Sequence, residues 1–180
     1  MNFAKCLAFS AICLLLLGGC SKNYDSLEAQ ELYRLAQKAA NDGKLEKAAL
    51  ISRVALQKGE LRAQVLLGNV LYDEDPEAAF RHWHAAADKG EPAAKYILGF
   101  FAYTNSEDEE AVFWISDAAS QGHKDAQYLF AMMYQEGRGV EMDFDKARYW
   151  LTKAADQNHT YAIQQLKICL LYTSPSPRDS

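Results

Sequence analysis

The sequence predicts an all-α protein, an α-solenoid made by stacking antiparallel helix pairs. Three observations carry that prediction. First, two independent sets of anchors recur with one set of spacings: Gly59, Gly90, Gly122 and Asn158 are 31, 32 and 36 residues apart, and so are Ala63, Ala94, Ala126 and Ala162. Second, apolar residues between the anchors return at helical spacing; Ala147, Trp150, Leu151, Ala154 and Ala155 make one stripe and Ala126, Phe130 and Tyr134 another. Third, the chain is rich in alanine and leucine, good helix formers, and has no clear alternating strand pattern. With 180 residues, 49% hydrophobic and 24% charged, it has the composition of a folded domain, long enough for one elongated body.

Residues 1–19 read as a signal rather than as part of the fold. Lys5 gives a positive start, Cys6 to Leu17 is mostly apolar, and Leu17-Gly18-Gly19-Cys20 reads as a cleavage site. The apolar run is too short for an ordinary membrane span. It resembles a bacterial lipoprotein signal, which implies a diacylglyceryl group on the Cys20 sulfur and an acyl group on its new amino terminus. Several acyl chains anchor stably where one does not, at about 0.8 kcal/mol per buried methylene. Ser21 after the cysteine, where the resemblance would place Asp for inner-membrane retention, points to the outer membrane facing the periplasm. Residues 20–26 form a short polar, lipidated tether. Removal of residues 1–19 takes Lys5 with it and leaves 18 Lys and Arg against 24 Asp and Glu, a net charge of −6. That balance argues against nucleic acid as a partner. Cys6 and Cys13 leave with the signal, Cys20 is the lipid site and Cys169 lies in the tail at 169–180, so no pair remains for a disulfide within the repeats.

Residues 27–59 read as a degenerate first helix pair. Leu32, Leu35, Ala36, Ala39 and Ala40 form the stripe of its first helix, Asn41-Asp42-Gly43 the turn, and Leu45, Ala48, Ala49, Ser52 and Val54 to Leu56 the second. Residues 60–168 hold the clearer repeats: 60–90, 92–122, 124–158 and a partial unit at 160–168. In the longest, Gly137 and Gly139 punctuate a loop and Asp143 is placed to cap the following helix. The two shorter repeats replace that loop with Asp73-Glu74-Asp75-Pro76 and Asn105-Ser106-Glu107-Asp108. No helix pair is thick enough to bury its own apolar face, so neighbours must stack.

Within 124–158, Ala126, Tyr134, Gly137, Gly139, Val140, Asp143, Lys146, Ala147, Trp150, Lys153, Ala154 and Ala155 match the spaced pattern of the Sel1-like repeat, a relative of the tetratricopeptide repeat. Phe130, Ala131 and Asn158 stand where that pattern has Leu, Gly and Gly, and all three are mild departures. Upstream, Leu67-Gly68 and Leu98-Gly99 fill the Leu-Gly position, and Trp114 and Trp150 the tryptophan position; His82 takes it in the earlier repeat, with Trp83 one place on. The resemblance implies a right-handed superhelix whose first helices line a concave groove. Residues 169–180, CLLYTSPSPRDS, resemble the translation of a common transposase sequencing adapter and read as an assembly artefact.

Catalytic signatures are missing from the sequence: no Gly-x-Ser-x-Gly elbow, no phosphate loop, no nucleophilic cysteine. His82 and His84, two apart on a helix, do not face each other, and His123 and His159 fall at equivalent repeat positions, so neither metal nor cofactor is expected beyond the lipid on Cys20. The acidic runs at 73–77 and 107–110 suit helix starts, where the dipole is positive; the sharper reading is an acidic edge for a basic partner or calcium. The positions two, six and nine after each opening alanine lie opposite the buried face: Val65, Asn69 and Tyr72; Tyr96, Phe100 and Tyr103; Tyr128, Met132 and Gln135. By resemblance these nine form the groove wall, with Tyr96, Phe100 and Tyr103 at its centre. Large rings with few rotors suit peptide or glycan recognition, and packing against the neighbouring helix stays open beside it. The expectation is a lipid-anchored, non-enzymatic scaffold that holds protein or peptide partners in envelope assembly or secretion. A glycan-binding repeat protein and a β-lactamase-type hydrolase are the alternatives.

Overall fold

The structure, a computed structural model, describes residues 24–173. The signal, Cys20, the start of the tether and the end of the tail lie outside the described residues. A short 3₁₀ turn at Tyr24–Ser26 precedes α1 (Ala29–Asn41), α2 (Leu45–Gln57), α3 (Arg62–Leu71), α4 (Pro76–Ala87), α5 (Pro92–Thr104), α6 (Asp108–Ser120), α7 (Lys124–Glu136), α8 (Phe144–Asp156) and α9 (Thr160–Thr173). Among the described residues there is no strand, and no helix is long and apolar enough to cross a membrane. Each helix packs mainly on its sequence neighbours, the pattern of a one-dimensional stack.

The turns explain the anchors. Gly59, Gly90 and Gly122 close their helix pairs at φ near +90°, and Asn158 closes the last at φ 60. Each position needs the left-handed region, which asparagine also tolerates. Each opening alanine, Ala63, Ala94, Ala126 and Ala162, is fully buried. Caps set the helix starts: Ala78 N–H donates to Asp75 Oδ1 at 2.9 Å, and Lys146 N–H donates to Asp143 Oδ1 at 2.9 Å.

Packing within each pair follows a size exchange. Five residues after the opening alanine stand Gly68, Gly99 and Ala131; opposite them stand Trp83, Ile115 and Leu151, all buried. A Cβ on Gly68 would come within 2.3 Å of Trp83 Nε1, and one on Gly99 within 2.7 Å of Ile115 Cγ1. The backbone must therefore be bare where the partner side chain is bulky. This accounts for the shifted tryptophan of the first clear repeat: Trp83 fills the buried position, whereas Trp114 and Trp150 lie one place earlier and are only partly covered. Next to each opening alanine a buried polar residue reaches within its own repeat: Gln64 to His82 at 3.5 Å, Lys95 to Asp117 at 2.6 Å, and Gln127 accepts from Gln157 at 2.8 Å.

Two boundaries differ from the sequence reading. Tyr24 is not free tether: it packs with Leu27 against the cluster of Leu32, Ala36, Ile51 and Ala55. Burial of ring area there outweighs the polarity of the surrounding residues. The last helix runs on to Thr173 rather than stopping at residue 168, since Cys169-Leu170-Leu171-Tyr172 contains no helix breaker.

Candidate functional site

The site forms where two first helices meet. Asn69 comes from α3 and Tyr72 from its C-cap; Tyr96, Ile97, Phe100 and Phe101 come from α5; Trp83 of α4 lies beneath. Together they surround an open pocket of about 300 Å³. Its floor is an aromatic cluster. Phe101 stacks on Trp83 with centroids 5.5 Å apart, Tyr72 lies 5.4 Å from Phe101, and Phe80 meets Trp83 edge-on at 5.2 Å. Trp83 is 2% exposed, and its indole N–H donates to Asn69 Oδ1 at 3.0 Å. That bond satisfies the buried donor and fixes Asn69 at the rim. Phe100, 43% exposed, stands beside Tyr96 at 6.0 Å.

Tyr96 is held by the residue that caps α7. Its ring stacks on His123 at 4.8 Å and 22°, and His123 Nδ1 accepts from Ala126 N–H at 3.3 Å, capping α7. Acceptance at Nδ1 requires the neutral ring with its proton on Nε2. Burial pushes the His123 pKa down, against a smaller upward pull from Asp125. Burial likewise pushes the Tyr96 hydroxyl up. The arrangement repeats one unit later: Tyr128 stacks on His159 at 4.6 Å, and His159 Nδ1 accepts from Ala162 N–H at 3.1 Å.

Of the nine groove positions, Asn69, Tyr72, Tyr96 and Phe100 meet at the pocket. Val65 does not belong to a groove wall. It is 7% exposed and packs in the cluster with Trp83, Ala94 and Leu98, because a short branched side chain at that position stays within the interface between α3 and α5. Tyr103, placed at the centre of the patch by the sequence, is half-buried outside the pocket, with one ring face taken by Arg138. The Arg138 guanidinium lies 3.8 Å from its ring centroid, donates from Nη2 to the Tyr103 carbonyl at 2.9 Å, and donates from Nε to Asp108 at 3.0 Å. The Tyr103 hydroxyl donates to Glu136 at 2.9 Å. Tyr128, Met132 and Gln135 are partly buried on α7, outside the pocket. Sequence reasoning missed Trp83, Ile97 and Phe101 as lining, His123 and His159 as caps and ring partners, and Arg138 as a clamp. The recurrence of His at equivalent positions and the arginine between two loop glycines were the available signals.

The acidic runs divide in the same way. Asp75 caps α4 and Asp108 pairs with Arg138, whereas Asp73, Glu74, Glu107 and Glu109 are exposed and make no ion pair among the described residues. No group of three or more His, Cys, Asp or Glu among the described residues could hold a metal ion.

Comparison with known proteins agrees with the fold. The chain is 27% identical over 149 residues to the chitin synthase regulator SKT5 of Saccharomyces cerevisiae, covering 79% of this chain and 20% of that protein. It is 33% identical over 72 residues to chitin synthase regulatory factor 3 of Schizosaccharomyces pombe, covering 40% of this chain and 8% of that one. The chain thus spans a fifth or less of the length of these relatives. Among solved structures it is similar to a protective antigen of uropathogenic Escherichia coli strains displaying an SLR fold, with TM-score 0.63 and 27% identity over 77% of this chain and 32% of that one. A Sel1 repeat protein from Oxalobacter formigenes shares the fold, with TM-score 0.66 and 24% identity over 86% of this chain and 48% of that one. The Sel1 repeat profile matches residues 62–91, 92–123 and 124–159, more than half of the sequence, and the chain belongs to the Sel1 repeat family.

Proposed function

We propose that this Sel1 repeat scaffold is a non-enzymatic, lipid-anchored adaptor of the bacterial cell envelope that binds protein or peptide partners through the aromatic pocket between α3 and α5. Sel1 repeats are protein-interaction scaffolds, and three of them make up most of this chain. The observation that carries the reading is the pocket itself. Tyr72, Tyr96 and Phe100 offer ring surface at an open site of about 300 Å³, while the rings beneath are locked by stacking and by the Trp83–Asn69 bond. Rigid aromatic surface of this kind binds with little loss of side-chain freedom. The envelope assignment rests on the lipoprotein-like Leu17-Gly18-Gly19-Cys20 and on the polar residues after it.

Phe100 is exposed, so its replacement spares the core. Phe100→Glu should keep the helical circular-dichroism signal and thermal midpoint yet lose capture of partners from envelope extracts; capture at the wild-type level would reject the site. Cys20→Ser should move the protein from the membrane fraction to the soluble one. Retention in the membrane fraction would reject the anchor.

A further inference from the structure

We propose that the pocket takes a partner peptide of defined chemistry: an apolar side chain seated among Tyr72, Tyr96 and Phe100, with an arginine or lysine of the same peptide against Asp73 and Glu74. This deepens the groove reading and rests on it.

The apolar half follows from the lining. Six of the seven lining residues are aromatic or aliphatic, and the seventh, Asn69, has its carbonyl oxygen committed to the Trp83 indole. A charged or strongly polar group buried there would lose its water with few partners in return. An aliphatic or aromatic side chain loses nothing comparable.

The basic half follows from what the chain does with the same position one repeat later. Tyr72 and Tyr103 both stand nine residues after their opening alanines. At Tyr103 a cation already joins the ring to a carboxylate at the start of the following helix: the Arg138 guanidinium lies on the ring and bonds Asp108, with Glu136 on the phenol oxygen. At Tyr72 the next residues, Asp73 and Glu74, are exposed and unpaired among the described residues, and no cation of the described chain lies over the ring. The reason is loop length. Seven residues, 137–143, join α7 to α8 and carry Arg138 back onto the preceding repeat, whereas three, 105–107, join α5 to α6. The short loop 105–107 therefore brings no arginine back onto Tyr72, and a partner can supply one. A guanidinium paired with carboxylate beside an aromatic ring gains from both interactions. Two exposed carboxylates in the turn that directly follows Tyr72 also disfavour an acidic peptide.

The test is selection of a displayed random-peptide library on the protein, with Phe100→Glu protein as the subtracting surface, followed by fluorescence anisotropy of synthetic winners. The recovered sequences should pair an apolar residue with Arg or Lys a few positions away. Exchange of that base for Glu should weaken binding about tenfold or more, with the difference shrinking at high salt. The Asp73→Lys, Glu74→Lys double variant should lose the same factor toward the basic peptide and recover it toward the Glu peptide. Phe100-dependent binding that ignores both exchanges would overturn the proposal and leave the groove reading standing. No Phe100-dependent peptide at all would overturn both.

Discussion

The two junctions between the clear repeats use one helix position in opposite ways. At the first, Tyr72 lies against Trp83 and Phe101 and helps to line an open pocket. At the second, Tyr103 is closed over by Arg138, which reaches it from 35 residues away. The helices are alike in spacing and burial; the connecting loops are not. In the longer loop Gly139 has φ 66, and its Cα comes so close to α6 that an added Cβ would lie 2.5 Å from the Asp108 carbonyl oxygen. A solenoid can thus keep its core periodic while each junction is left open or sealed by a few loop residues, so function can differ from repeat to repeat without a change of fold.

The largest effect should come from the floor of the open junction. Trp83→Ala removes the most enclosed ring in the pocket and leaves Gly68 facing a void; a loss of about 3–5 kcal/mol is expected by urea denaturation. Trp150→Ala, at the partly covered position, should cost clearly less. Equal losses would contradict the size exchange between Gly68 and Trp83. The sealed junction is broken by Gly139→Ala, whose methyl meets backbone in a left-handed conformation and should destabilise by about 1–2 kcal/mol. Arg138→Ala leaves the loop backbone unstrained and removes only the clamp. Arg138 and Asp108 keep 26% and 34% of their side-chain surface, so the loss should be about 1 kcal/mol or less. Its sharper signature is exposure: Tyr103 should be nitrated faster by tetranitromethane, as read by mass spectrometry, with Tyr72 as the internal reference. An unchanged Tyr103 rate would mean that the helices and not the arginine limit access to it.

The repeats were legible because their spacing is written in residues that turns and close helix contacts require, as at Gly90 and Ala94. The pocket was half legible. A count of six and nine from the opening alanine finds Asn69, Tyr72 and Phe100, since exposure on one helix follows its own period. Val65 defeats that count because the angle on a helix does not say whether the next repeat covers the position. Trp83 is core that a pocket exposes at one edge, with the partly buried Phe101 stacked on it, and exposure periodicity on one helix does not find either. Arg138 on Tyr103 is a contact between repeats made by a loop, and no local period encodes it.

The smallest expected effect separates the open junction from the sealed one by pH. His123 braces Tyr96 at the pocket and caps α7 through Nδ1, which can accept only while the ring is neutral. Folding lowers its pKa through burial, so the unfolded chain takes the proton more readily than the folded one. The contribution to stability is complete above the unfolded value of about 6.5 and is lost as pH falls through the lower, folded value. Across that interval the unfolding free energy should drop by about 1 kcal/mol or less, the scale of a helix cap. His123→Asn should keep a cap, remove this part of the pH dependence, and leave Tyr96 without its stacking partner. Imidazole NMR shifts of the wild-type protein should report a His123 midpoint below the usual histidine value. A midpoint at or above it would mean that the ring titrates in water and does not brace the pocket.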